Sequence, residues 1–381
     1  NIEKLDGIVK LDGVVKVLFT GINHVTIDGA AGNDRIIDPG YDTTILGGPG
    51  DDTITINATT GTGVNVDGGS GSDAYIIGGG LIGDLAGPVT IADTGATGAD
   101  SVTVLGTGSN DSIAETSSGF GLNGTSITVA GLETALVDGG GGSSDQIIAT
   151  GTPPIPVEVR HVSDMVVVGT AGNDQILFDP GTLPGEVVGR LNGAIVSRFI
   201  PTGKIVAYGG AGDDNIQVAG SIALPAWLYG EAGNDRLNAG NGGSLLIGGE
   251  GNDRLLGGGG RDVMIGGNGA DSLIGNNSDD ILVAGFTTMD DRSTAGHEEF
   301  WGDVIAEWNS SRTFNERVNN LRDGTGSAIP SNNGSFLKLN VTVLDDMFGD
   351  EIDFLNGAAG EDWLIFSMVE DKVSGQVEAS N

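Results

Sequence analysis

The stretch from Gly248 to Val283 reads GGEGNDRLL, GGGGRDVMI, GGNGADSLI, GNNSDDILV, nine-residue units set end to end and each closing on apolar residues. Their aspartates, Asp253, Asp262, Asp271 and Asp280, recur every nine residues. Each unit has two chemical halves. The glycine-rich half permits the positive φ of a tight turn, and the half that follows is a short strand whose middle apolar side chain points inward. One such unit cannot bury its apolar side chain alone, so a fixed short period predicts a solenoid in which stacked units share one continuous core. With two units per turn, aspartates 18 residues apart stack on one edge.

Working outward, the same unit stands singly as GAAGNDRII (Gly29 to Ile37), GGPGDDTIT (Gly47 to Thr55), GGSGSDAYI (Gly68 to Ile76), GTAGNDQIL (Gly169 to Leu177), GGAGDDNIQ (Gly209 to Gln217) and GEAGNDRLN (Gly230 to Asn238). Degenerate copies carry Asp100, Asp111 and Asp145, and an isolated one, GAAGEDWLI, spans Gly357 to Ile365. The 18-residue spacing joins Asp34 with Asp52, Asp235 with Asp253, Asp253 with Asp271 and Asp262 with Asp280. Asp52 to Asp73 and Asp214 to Asp235 are 21 apart, which suits a turn with a bulged loop.

These units resemble the repeats-in-toxin (RTX) nonapeptide, G-G-x-G-x-D-x-U-x with U apolar. The resemblance implies an all-β parallel β-roll or β-helix solenoid that binds several Ca2+ ions. The donor chemistry agrees: carboxylates and turn carbonyls supply only oxygen, which suits calcium with its six to eight ligands and argues against zinc or copper. Candidate metal ligands are Asp34, Asp52, Asp73, Asp174, Asp214, Asp235, Asp253, Asp262, Asp271 and Asp280.

The composition narrows the partners. Lys plus Arg total 17 against 52 Asp plus Glu, a formal charge of −35 over 381 residues, which turns away nucleic acid and anionic membrane and favours cations. Hydrophobic residues make up 38%, so the chain has a core to bury and the acidity is not that of a disordered polymer. There is no cysteine, which rules out a disulfide framework, and no apolar run approaches the roughly 20 residues of a membrane span. The chain opens with Asn1, inside a repeat by register, from which a larger parent or partner strands are expected.

Three regions are expected: a degenerate-repeat solenoid over 1–150, a regular one over 151–285, and a capping region with two short helices over 286–381. Val102 to Ile147 and Met165 to Ile216 read as two copies of one larger unit, and the prolines of GTPPIPVEV, Gly151 to Val159, mark a joint or an edge loop. Phe300, Val304, Ile305 and Trp308, then Phe314, Val318 and Leu321, fall at helical spacing. Strands around LKLNVTVLDD and DWLIF follow, and the whole is expected to close the open end of the stack. Asp362, without an 18-residue partner, reads as a lone turn, and Asp345, Asp346, Asp350, Glu351 and Asp353 as a solvated acidic face.

Catalytic signatures do not emerge. Only His24, His161 and His297 are histidines, HEEFW lacks the second histidine of a zincin helix, and GFGLNG matches a dinucleotide fingerprint by letters without its βαβ setting. The reading is a non-catalytic, calcium-stabilised structural protein of the cell exterior, self-associating into a filament or layer. The alternatives are a calcium-dependent adhesin or polysaccharide-binding module and an accessory domain of a secreted enzyme.

Overall fold

The computed structural model describes residues 24–38, 43–59, 61–78, 85–95, 97–107, 109–140, 145–150, 154–160, 162–326, 334–337, 342–344, 352–366, 371–374 and 377–379, and two short backbone strands at 3–5 and 8–10. Residues 11–23, the first part of the proline segment at 151–153, His161, and the acidic residues Asp345, Asp346, Asp350 and Glu351 lie outside the described residues. The chain divides into two compact units, Asn1–Val166 with Val196–Thr202, and Val167–Ile195 with Gly203–Asn381.

In the first unit the strands form two parallel walls. One wall stacks Val25–Asp28, Thr43–Pro49, Val64–Ser70, Val89–Ala92 and Thr125–Ala130; the other stacks Arg35–Ile37, Thr53–Ile56, Ala74–Gly78, Ser101–Leu105, Thr134–Asp138 and Val157–Arg160. The register places Ile27, Ile45, Val66, Ile91 and Val129 in one buried column and Ile36, Ile54, Tyr75 and Val102 in the other. These are the inward positions of the nonapeptide, so the period-2 alternation of each short strand supplies the core directly.

The second unit repeats the plan. Leu228, Leu246, Met264, Leu282 and Leu364 stand in register on one wall and Leu237, Leu255, Leu273 and Leu355 on the other, all fully buried. On the first wall the flanking positions are buried as well, Leu245, Val263 and Ile265 at 0% exposure. Helix α1 (His297–Trp308) explains this, because it lies over that outer face: His297 Nε2 is 2.9 Å from the Tyr229 hydroxyl, and the Trp308 indole N–H donates to the Asp279 carbonyl at 3.0 Å. Helix α2 (Phe314–Asp323) begins with a Thr313/Glu316 capping box. It is pinned by buried Arg317, which donates to Asp279 Oδ2 at 2.5 Å and to the Trp308 carbonyl at 3.1 Å while stacking 4.5 Å from the Trp308 ring.

The helices are not a terminal cap but an excursion between two turns. Ser272–Ile274 pairs in parallel with Phe354–Asn356, and Ile281–Val283 with Trp363–Ile365, so the stack resumes 82 residues on and continues to Lys372–Ser374 and Val377–Ala379. Asp353 and Asp362, at 1% exposure each, are therefore rungs of the solenoid, neither a solvated face nor a lone turn. A long insertion breaks the 18-residue count while leaving the strand register intact.

Each unit also carries a hairpin. Ser112–Thr116 turns into Gly119–Leu122 and on to Thr125–Ala130, and Gln175–Pro180 turns into Val187–Leu191. Asn123-Gly124 (φ 50°, 88°) and Asn192-Gly193 (φ 51°, 84°) take the left-handed conformation that tight hairpin turns require. They sit at corresponding places in the two larger repeats.

Candidate metal centre

The nonapeptide aspartates form a ladder with a constant direction. In the second unit the backbone N–H of Asp174 donates to Asp214 Oδ1, Asp214 to Asp235, Asp235 to Asp253, Asp253 to Asp271, and Asp271 to Asp353, all at 2.6–2.7 Å. A second line runs from Ser244 N–H to Asp262 Oδ1, from Asp262 to Asp280 and from Asp280 to Asp362 at 2.8–2.9 Å. In the first unit Asp34, Asp52, Asp73 and Asp100 are linked in the same way at 2.7 Å, and Asp111 to Asp145 at 2.8 Å. Spacings of 18, 21, 27, 34, 40 and 82 residues all produce the same rung, because the loop between rungs absorbs the difference.

Oδ1 is thereby occupied, and the other oxygen is the telling one. Oδ2 of Asp34, Asp52, Asp73, Asp145, Asp214, Asp235, Asp253, Asp280 and Asp362 is buried without a hydrogen-bond partner. Native proteins rarely leave even one buried polar atom so, and a column of them calls for a cation. The first glycine of each unit points to the same spot: a Cβ on Gly248 would come within 3.0 Å of both Asp253 Oδ2 and the Gly266 carbonyl, and one on Gly266 within 3.0 Å of Asp271 Oδ2 and the Ala284 carbonyl. Carboxylate and carbonyl oxygens thus converge where only a side chain of one hydrogen leaves room. This hard, all-oxygen donor set fits calcium.

The electrostatics point the same way. Successive rungs are about 4.8 Å apart, so two neighbouring ionised carboxylates repel by about 3–4 kcal/mol at an effective dielectric of about 20. Burial above all, and repulsion from Asp235, push Asp253 up to about 8; burial and then Asp262 push Asp280 up to about 10. Folded-state values above the ordinary 3.8 mean that the cation-free fold holds protons which the unfolded chain has lost. The contribution of Asp253 and Asp280 to its stability is therefore fully present below about pH 4 and is lost as pH rises towards about 8–10. Calcium affinity should run oppositely, tightening from pH 4 to 8 as protons stop competing. Thermal melts at graded pH without calcium, beside calcium titrations over the same range, measure both slopes; parallel slopes would sink this account.

Two lines of rungs imply two separable sets of sites. Asp280→Asn should lower calcium uptake on the Asp262–Asp280–Asp362 line while leaving the Asp214 to Asp353 line filled. Calorimetric stoichiometry for this variant, compared with Asp253→Asn and the double variant, checks it: the losses should add.

Not every motif aspartate is equivalent. Asp174 starts its ladder, but its carboxylate is saturated: Oδ2 accepts the Thr170 N–H at 2.6 Å and hydroxyl at 2.8 Å, and Oδ1 accepts the Asn192 amide at 2.6 Å. Asp111 is held alike by Thr107 and Asn123. Those hydrogen bonds, against the opposing effect of burial, leave Asp174 below the ordinary carboxylate range. Asp262 is partly engaged, its Oδ2 accepting the Gly258 N–H at 2.7 Å. The Asn-Gly hairpins thus supply by protein donors what the other rungs lack. Asn192→Ala should destabilise the second unit by about 1 kcal/mol to the same extent with or without calcium, read from denaturant midpoints.

Asp145 and Asp362 have the same unpartnered oxygen as most of the predicted ligands, and Asp353 stands on the same ladder. Asp362 carries the signal in its Gly-Glu-Asp spelling, whereas Asp353 keeps only one motif glycine before it, Gly349, and strand pairing reveals it. Among the described residues no helix is long and apolar enough to cross a membrane.

The sequence profile of the RTX calcium-binding nonapeptide repeat matches four copies, over residues 40–55, 229–264 and 256–286. These segments hold Asp52, Asp235, Asp253, Asp262, Asp271 and Asp280, all on the ladders described above. No curated protein and no solved structure matches the chain.

Proposed function

We propose that this chain, which carries RTX calcium-binding nonapeptide repeats, serves outside the cell as a calcium-hardened structural element, with its ladder aspartates as the calcium ligands and no catalytic role. The observation that carries the reading is the column of unpartnered Oδ2 atoms facing glycine carbonyls. Asp52, Asp73, Asp214, Asp235, Asp253, Asp271 and Asp280 would hold the ions, with Asp34 at the near end of its ladder; Asp174 would act as a rung closed by Thr170 and Asn192. Bound calcium supplies positive charge that turns repelling rungs into shared ones. Exterior calcium is millimolar, the range in which extracellular modules bind.

Neutralising part of the −35 charge also removes the self-repulsion that keeps such chains apart, which supports assembly into a filament or layer. Electron microscopy of the purified chain, in millimolar calcium and in chelator, tests this. Extended assemblies in calcium alone are expected; dispersed particles at every concentration would defeat the assembly reading and leave a calcium-binding rod.

A further inference from the structure

One rung departs from the others. In the first unit the stacked first positions run Gly29, Gly47, Gly68, and the register Val66↔Ile91 brings Asp93 level with the last of these. A side chain thus stands where the repeat places a glycine. One carboxylate oxygen from each of Asp73, Asp93 and Asp100 lies within 4.8 Å of the other two. Asp73 is 1% exposed, Asp100 3% and Asp93 9%, and Asp73 Oδ2 has no hydrogen-bond partner.

Tyr75 holds this arrangement in place. It occupies the inward position filled by Ile36 and Ile54 in the preceding turns, and its ring is buried in the core. Its hydroxyl donates to Asp93 Oδ2 at 2.5 Å and accepts the Gly68 N–H at 2.6 Å, while Asp93 Oδ1 accepts the Gly95 N–H at 2.8 Å. Asp93 is thus aimed by two donors, whereas Asp73 and Asp100 are aimed by the ladder.

We propose that at this rung Asp93 joins the ladder residues Asp73 and Asp100 in a three-carboxylate site for a hard, oxygen-seeking cation, with Tyr75 as the residue that positions Asp93. An ordinary rung offers carboxylate and neutral carbonyl oxygens, and this site adds a full negative charge from outside the nonapeptide pattern. Ligand charge raises affinity for hard cations, and the gain is larger for a trivalent ion than for a divalent one. The inference rests on the proposed reading of the ladders only for which ion fills the site in life.

Terbium(III) is a suitable probe, because a tyrosine next to the ion sensitises its emission. All four tryptophans, Trp227, Trp301, Trp308 and Trp363, belong to the second unit and give a separate background that Asp93 does not touch. Terbium and calcium would be counted on the full chain and on Asp93→Asn, Tyr75→Phe and Asp253→Asn, each checked for β content in calcium. Expected are loss of one ion and of the Tyr75 share of the tyrosine-sensitised emission in Asp93→Asn, and loss of that share with the ion retained in Tyr75→Phe, over a background from Tyr41, Tyr208 and Tyr229 common to all variants. Full stoichiometry in Asp93→Asn, or undiminished tyrosine-sensitised emission in Tyr75→Phe, would overturn the site. Because Tyr75→Phe changes no carboxylate, it tests whether an ion lies beside Tyr75 even if Asp93→Asn fails to fold. Should Asp253→Asn lose no calcium while Asp93→Asn does, the reading of the regular ladder fails and this site stands.

Discussion

Withdrawing calcium from the folded chain is expected to remove most of the β-sheet circular dichroism of the run from Gly248 to Val283. The rungs Asp235, Asp253 and Asp271 follow one another at the strand spacing, and Oδ2 of Asp235 and of Asp253 is buried and unpartnered. Neighbouring repulsions of about 3–4 kcal/mol each, summed over the four links from Asp214 to Asp353, are as large as the roughly 5–15 kcal/mol by which whole domains are stable. Protonation is the only relief left to the cation-free fold, and at pH 7.5 it is incomplete for groups pushed to about 7 and about 8, as Asp235 and Asp253 are. Titrating calcium back should restore the signal cooperatively, since on the proposed reading each ion would join two turns and order the next. Unchanged β content in chelator at pH 7.5 would show that the ladders do not need the metal. Hydrogen exchange would localise the effect. The hairpin at 175–191, whose Asp174 is closed by Thr170 and Asn192, should lose protection last within the second unit.

The second large effect is expected from one methyl group. Gly266→Ala places a Cβ within 3.0 Å of Asp271 Oδ2 and of the Ala284 carbonyl, and the latter is backbone that cannot swing away. The substitution both fills the place where donor oxygens converge and forces two turns apart. It should cost roughly 3 kcal/mol or more, at the upper end of single substitutions, and remove the associated calcium. Gly302→Ala is the control. That glycine sits within α1 with nothing near its Cβ direction, so alanine there should be neutral or stabilising by up to about 1 kcal/mol through helix propensity. Denaturant midpoints at saturating calcium, with calorimetric counting of ions, distinguish the two. Equal stability of Gly266→Ala and the parent chain would mean that the turn has room to spare and that the convergence of oxygens is not a binding place.

Acidification, the Asp280 line and the Asn192 hairpin probe the same electrostatics on a smaller scale. All three depend on whether a given carboxylate oxygen is answered by a cation, a proton or a protein donor.

What the sequence determined by itself is the repeat and its chemistry. Glycines at the first positions, aspartate at the sixth and an apolar residue at the eighth dictate turn, donor and core within nine residues. Local chemistry therefore suffices to read a parallel solenoid, its two ladder edges and its oxygen-only donor set. The 18-residue pairs of Asp253 with Asp271 and of Asp262 with Asp280, and the 21-residue pairs of Asp52 with Asp73 and of Asp214 with Asp235, are rungs as spacing alone implied. The tertiary structure decided everything that depends on what comes level with what. Asp353 and Asp362 rejoin the ladders 82 residues on because strand pairing is indifferent to the length of an excursion. Asp174 shares the motif of Asp253 yet is saturated, because an amide 18 residues away is swung onto it by a hairpin. Asp93 reaches Asp73 because a loop of altered length brings a carboxylate to a glycine's place. A motif specifies the atoms that a turn presents, whereas the partner that meets each atom is set by stacking, and stacking is a property of the folded chain.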